Sequence, residues 1–222
     1  YGLSAFNGIS SFGTQHDSSP LMFRPDSNIE SFYDSVNHLD MPLFDKDELL
    51  KCIKMLVAKE KSWYKFKDGQ LDHQIYIRVC QISTDHHIGV KSPLSTKLFV
   101  ILSPNSLKIK PKKLVCNSNA YKNWTQGNGA FRISGNFGPL VPNIERANEN
   151  GFDDVLWLID DYVKELTMQN FFVYWKNRKG EHEIVTPPLD GTVFNGILRQ
   201  SLIELAEKLK QKEGIHVVEK DI

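Results

Sequence analysis

The sequence predicts a mixed α/β (α+β) fold in two domains, on three observations. Residues 73–82 alternate apolar and polar side chains, the period-two signature of a half-buried strand. Residues 45–57 space apolar side chains three and four apart behind an acidic cap, as an amphipathic helix does. A polar, lysine-rich stretch over 103–113 separates two segments that each carry such elements. The expected boundaries are 1–104 for a smaller N-terminal α/β domain, 105–113 for a linker and 114–222 for a larger C-terminal domain.

Residues 1–24 read as short strands with turns, and residues 13–20 as a polar loop. A first helix is expected over 26–39, where Ile29, Phe32, Tyr33 and Val36 repeat at helical spacing. The second helix has a capping box in Asp45 and Glu48, with Phe44 and Leu49 placed as a hydrophobic staple. Its apolar face is Leu49, Cys52, Ile53, Leu56 and Val57. In the strand over 73–82, Tyr76 and Arg78 share a face, because side chains two apart do. On a buried face that pair can receive a carboxylate or form a structural ion pair. Lys97–Leu102 reads as a buried strand closing the first domain. In the second domain, Val155–Ile159 is a strand that ends in an acidic turn, Asp160-Asp161. Residues 170–175 and 183–185 form a hairpin around the turn over 176–180. An amphipathic helix then runs through Leu202, Leu205, Ala206 and Leu209, with apolar surface left exposed on it.

Composition bounds the function. The chain has 222 residues, 41% apolar and 24% charged, which is ordinary globular usage. Its 27 basic and 27 acidic residues cancel, so bulk charge drives no nucleic-acid or membrane-surface role. No apolar run is long enough to span a bilayer. Cys52, Cys80 and Cys116 are an odd number at wide spacing and fit reduced thiols in the cytoplasm. The chain begins at Tyr1 without a methionine, so a leader, and with it a mitochondrial location, stays open. His86-His87 lacks a third ligand at metal spacing, so no metal is expected.

The most informative stretch is Gly127–Pro139, with four glycines in thirteen residues and Arg132 at its centre. Glycine permits close approach and positive φ. Pro139 and Pro142 follow, then a run that can be helical to about Glu149, with Gly151 as its stop. The reading is a strand, a tight glycine turn and a helix N-terminus. Such an end suits an anion, and a tight loop without a ligand is the alternative.

This stretch resembles the cofactor-lysine segment of branched-chain amino acid aminotransferases, pyridoxal-phosphate enzymes of fold type IV (D-amino acid aminotransferase-like). That family's pattern is G-x-G-x-x-K-x-x-G-N-Y. Gly127, Gly129, Gly135 and Asn136 match, whereas Arg132 stands at the lysine and Phe137 at the tyrosine. Segments 1–8, 43–50, 76–78, 88–90, 98–104, 155–158, 174–175 and 186–191 follow in the family's order. Relative to the family, an N-terminal segment and the C-terminal part of the second domain are expected to be missing.

The resemblance implies pyridoxal 5′-phosphate as cofactor, branched-chain amino acids with 2-oxoglutarate and glutamate as substrates, and a dimer. It assigns Glu165 to the pyridine nitrogen, the amides of Ile197 and Leu198 to the phosphate, and Tyr76 and Arg78 to the substrate pocket. Ile88–Val90 matches a loop that reaches the partner's active site. It also implies departures. Gly13 stands where a phosphate-binding arginine is expected, Leu198 replaces a threonine and Phe137 lacks a phenol.

Aminotransfer needs a neutral amine, first to condense with the cofactor aldehyde and then to move a proton. A guanidinium titrates far above neutrality, so on the order of one arginine in ten million is neutral at pH 7. Arg132 is therefore expected to be inactive in catalysis and to pair electrostatically with Glu165. Weak or absent cofactor binding follows. No other catalytic motif stands in its place. Three readings result: a branched-chain aminotransferase family protein with an impaired site, an active branched-chain aminotransferase, or a non-catalytic partner of an active relative in a mixed dimer.

Overall fold

The computed structural model describes residues 2–13, 20–67, 70–106 and 110–222, with backbone alone for 65–67, 70–73, 106, 209 and 211–213. The chain divides into two compact units. The first comprises residues 1–110 and 131–135, the second 111–130 and 136–222.

The first unit is a five-stranded sheet backed by two helices. β1 (Ser4–Phe12) pairs antiparallel with β2 (Leu21–Met22) on one side and with β4 (Gln70–Ser83) on the other. β3 (Lys65–Lys67) and β5 (Thr96–Ser106) also pair antiparallel with β4. α1 (Pro25–His38) and α2 (Lys46–Lys59) supply the apolar cover. Pro25 can open α1 because the first helical amide has no intrahelical partner. At α2 the Asp45 carboxylate accepts from the Glu48 amide at 2.9 Å, as the capping box predicts. Ile9, Ile29, Phe32, Val36, Ile53, Val57, Ile75, Ile77 and Val79 form the core, none more than 2% exposed. Phe44 stacks on Phe32 with ring centroids 5.2 Å apart.

Three expectations for this unit are corrected. Cys52 faces solvent, because the core-facing stripe of α2 is Leu49, Ile53 and Val57 alone. β5 is an edge strand, and its Leu98 and Ile101 are 37% and 50% exposed. It also runs on to Ser106, so residues 103–106 are strand rather than linker. The rest of the expected linker at 107–109, and most of the 13–20 loop, lie outside the described residues.

The second unit holds two three-stranded sheets. β6 (Leu114–Asn117) lies parallel to β7 (Asp154–Ile159), which pairs antiparallel with β8 (Tyr162–Leu166). Asp160 and Asp161 turn that hairpin with φ of 49° and 64°, the paired positive values of a tight turn. α3 (Val141–Glu149) sets Ala147 against Val155 and Trp157, and Gly151 follows it at φ 80°. The expected strand of the glycine stretch is corrected. Two short 3-10 turns, Ser134–Asn136 and Gly138–Leu140, occupy that stretch instead. β9 (Val173–Lys176) pairs antiparallel with β10 (His182–Thr186). The strand expected from residue 170 thus starts three residues later, at Val173. β10 lies parallel to β11 (Ile215–Glu219), joined through α4 (Ile197–Glu213). On α4, Ala206 is buried while Leu198, Leu202 and Leu205 are 74%, 37% and 57% exposed, so apolar surface does remain on this helix.

Lys164 ties this unit together. Its ammonium lies 2.9 Å from Asp190 and 3.4 Å from Asp221. Burial works against the charge, but the two carboxylates outweigh it and the lysine pKa is raised.

Candidate active site

The second unit centres its buried polar groups on Glu165, near the end of β8. The carboxylate is 3% exposed. Lys122 donates to Oε1 at 2.8 Å and Asn123 at 3.4 Å. Asn170 and the Phe194 amide donate to Oε2 at 3.4 and 3.3 Å. Lys122 also donates to the Leu166 carbonyl at 3.1 Å, and its Nζ lies 5.6 Å from the centroid of the Phe137 ring. Asn123 and Asn170 extend the network to the Thr192 and Phe194 carbonyls at 2.9 and 2.6 Å. A buried carboxylate needs such company, since leaving it unpaired would cost far more than the bonds return. Within this unit the cation on Glu165 is Lys122, which the sequence reading did not single out.

Two glycines of this unit pack by close approach. Gly129 carries no positive φ, but a Cβ there would lie 2.7 Å from the Gly191 and Thr192 carbonyls. A Cβ on Gly196, the residue before α4, would meet Asn170 Oδ1 at 2.3 Å. The N-cap of α4, Gly196, makes no side-chain cap bond, and the first-turn amides, including those of Ile197 and Leu198, have no partner within the helix, which suits an anion. The Leu198 side chain is exposed and offers no hydroxyl.

The first unit gathers a different set. Tyr76 and Arg78 lie on the half-exposed face of β4, not the buried one, because Ile75, Ile77 and Val79 take the core side. Tyr76 covers Gly8, where a Cβ would lie 2.1 Å from its hydroxyl oxygen. The Arg78 guanidinium sits 4.4 Å from the Phe6 ring centroid and 5.7 Å from that of Tyr76. Arg132 reaches the same phenyl ring at 6.0 Å. Its backbone is pinned, the amide donating to Ser35 Oγ at 3.1 Å and the carbonyl accepting from the Phe6 amide at 3.0 Å. The structure thus brings together Tyr76, Arg78 and Arg132, which the sequence singled out separately.

Gly13 ends β1 beneath Tyr64, whose ring carbon would lie 2.7 Å from an added Cβ. The Tyr64 hydroxyl is held by Ser11 at 2.6 Å, and burial raises its pKa. The basic residue that does stand at a helix N-terminus in this unit is Arg24, before α1, in a left-handed conformation at φ 43°. Ile88 and Val90 stand on a solvent-exposed loop, 92% and 86% exposed. Asp85 anchors that loop by accepting from the Leu94 and Ser95 amides at 2.7 and 2.8 Å. Among the described residues no cluster of side chains could hold a metal ion, and no helix is long and apolar enough to cross a membrane.

Two groups of the second unit suit parts of pyridoxal phosphate. The first turn of α4 fits a phosphate, and a buried carboxylate fits a ring nitrogen. Arg132, in the first unit, carries a guanidinium, which cannot condense with an aldehyde.

Comparison with known proteins places these features. The profile of the amino-transferase class IV family matches residues 17–222. The branched-chain-amino-acid aminotransferase of Dictyostelium discoideum is 36% identical over 94% of this chain and 55% of its own length. The cytosolic enzyme of Mus musculus is 38% identical over 93% of this chain and 53% of its own, and the mitochondrial enzyme of Bos taurus is 37% identical. The chain thus spans about half the length of these relatives. Among solved structures, a T.th. branched-chain amino acid aminotransferase complexed with N-(5′-phosphopyridoxyl)-L-glutamate matches with TM-score 0.79 and 25% identity, over 98% of this chain and 68% of that one. The Escherichia coli enzyme matches in fold at TM-score 0.77, with 22% identity over all of this chain and 68% of that one.

Proposed function

The chain belongs to the amino-transferase class IV family, and from that premise we propose that it is a branched-chain aminotransferase family protein whose site is impaired in the covalent step. The reaction of the whole protein, in this reading, is amino transfer between leucine, isoleucine or valine and 2-oxoglutarate. The observation that carries the impairment is Arg132, fixed through its backbone and set among Tyr76, Arg78 and Phe6. A guanidinium there can attract a carboxylate but cannot condense with an aldehyde.

The α4 first turn supports phosphate binding at Ile197 and Leu198, and Glu165 supports a contact to the ring nitrogen after sharing with Lys122. Cofactor binding is then non-covalent and weak. The free thiols of Cys52, Cys80 and Cys116 support a reducing compartment, the cytoplasm first among them.

A direct test is to substitute Arg132→Lys, incubate with pyridoxal phosphate, reduce with borohydride and map the adduct by mass spectrometry. A pyridoxyl group at residue 132 in the variant supports the reading. An unlabelled variant would show that this position does not face the cofactor.

The exposure of Ile88 and Val90 favours a second reading, in which this loop completes the site of an active relative in a mixed dimer. Co-expression with such a relative tests it. Recovery of mixed dimers supports it, and recovery of self-associated species alone removes it.

A further inference from the structure

The hairpin of β9 and β10, with Lys220 just after β11, lines a cavity of about 530 Å³ in the second unit. Small-molecule sites span roughly 300–1,000 Å³. The walls include neither Glu165 nor the first turn of α4. We infer that this cavity binds a small organic phosphate, with the phosphate on Arg178 and Lys179 and the organic part against Trp175.

The charge of the walls selects an anion. They carry four basic side chains, Lys176, Arg178, Lys179 and Lys220, against two acidic ones, Glu181 and Glu183. Glu183 is already engaged. It accepts from Trp175 Nε1 at 2.9 Å, from Asn177 at 2.7 Å and from Lys220 at 3.0 Å. Those bonds, the indole's first among them, hold its carboxyl at about 2, so near neutral pH it is charged and offsets Lys220. Glu181 accepts from Asn177 at 2.9 Å. Lys176, Arg178 and Lys179 then exceed Glu181 by two positive charges. A phosphate monoester carries about 1.5–2 negative charges near pH 7. A guanidinium fork meets its oxygens in pairs, and an ammonium adds a point charge.

The geometry is set in advance. Trp175 and Glu183 are direct cross-strand partners, so they share a face of the hairpin. The indole-to-carboxylate bond then fixes the ring, and Lys220 Nζ lies 5.3 Å from its centroid. At the turn, Asn177 Oδ1 accepts from the Lys179 and Glu181 amides at 2.9 and 3.0 Å. The Gly180 amide donates to the Asn177 carbonyl at 2.9 Å, and Gly180 takes a φ of 82° that favours glycine. Arg178 and Lys179 therefore stand on a braced backbone. An affinity built this way is carried by charge and falls as salt rises.

The experiment follows the Trp175 indole N–H signal of the full chain by nuclear magnetic resonance, assigned with Trp175→Phe. The probes are adenosine monophosphate, inorganic phosphate and adenosine at low salt. The expected result is a saturable shift with adenosine monophosphate, about tenfold tighter than with inorganic phosphate, and no shift with adenosine. Arg178→Ala should weaken the nucleotide by about tenfold or more, as loss of one charge-assisted bond does. Arg178 is exposed, so the variant keeps the wild-type fold. An unmoved Trp175 signal, an equal response to adenosine, or unchanged affinity in Arg178→Ala overturns the inference. Inorganic phosphate binding as tightly as the nucleotide overturns the part given to Trp175. Shifts confined to the Ile197 and Leu198 amides assign the phosphate to α4 and overturn the cavity site. The aminotransferase reading uses none of the cavity residues, so the two fail separately.

Discussion

Glu165 and Lys122 set the residue scale, since neither group tolerates burial alone. Lys122→Met removes the ammonium 2.8 Å from a carboxylate that is 3% exposed and should cost about 3–5 kcal/mol in urea unfolding. The double change Lys122→Met with Glu165→Gln should cost less than that single change, because the buried carboxylate's charge is removed along with the ammonium. A double variant less stable than Lys122→Met would contradict the pairing. Glu183 gives a second test. Hydrogen bonds from Trp175, Asn177 and Lys220, at 2.9, 2.7 and 3.0 Å, lower its pKa from 4.5 to about 2. Its folded value lies below its unfolded one, so its stabilisation is present above pH 4.5 and fades as pH falls towards 2. Wild type should lose stability across that window in acid titrations of unfolding. Glu183→Gln should flatten the loss, and an unchanged profile would contradict it.

Residues were legible in sequence where chemistry is local. Asp45 capping Glu48 follows from a spacing of three. Arg132 was visible as a basic residue among glycines. Lys122 was not, because its meaning depends on a carboxylate 43 residues away. The only available signal was Glu165 itself, which had to find a cation once buried. Gly13 was read as a lost contact. The structure gives it a packing reason, the ring of Tyr64.

At the scale of elements, helices were read closely and strands less so. α1 and α2 announce themselves by period and caps, and α3 by its prolines and the following glycine. β5 was misjudged as buried because an apolar run does not reveal whether a strand has one neighbour or two. The glycine stretch was misjudged as containing a strand, because close approach and extended backbone draw on the same residue types. Two measurements address the elements. Asp45→Ala should cost about 0.5–2 kcal/mol in thermal or urea unfolding by removing the α2 cap. A neutral result would mean the cap bond does not persist in solution. Gly129→Ala forces a Cβ against two backbone carbonyls at 2.7 Å and should destabilise by roughly 1–3 kcal/mol. Wild-type stability in that variant would contradict the close packing around Thr192.

For the whole molecule, the family was legible because matching segments recur in order along nearly all of the chain. Activity was not legible in the same way. Fold and family are carried by many residues, whereas condensation with an aldehyde is carried by one. The chain spans about half the length of these relatives, and that half holds both units. The proposed impairment turns on Arg132, which stands where the resembled pattern has a lysine.

The most direct measurement is the rate of leucine to 2-oxoglutarate amino transfer by the purified protein with saturating pyridoxal phosphate, beside the Mus musculus cytosolic enzyme. Loss of a covalent catalytic group predicts a rate lower by roughly 10³-fold or more. A rate within about tenfold of the mouse enzyme would contradict the account.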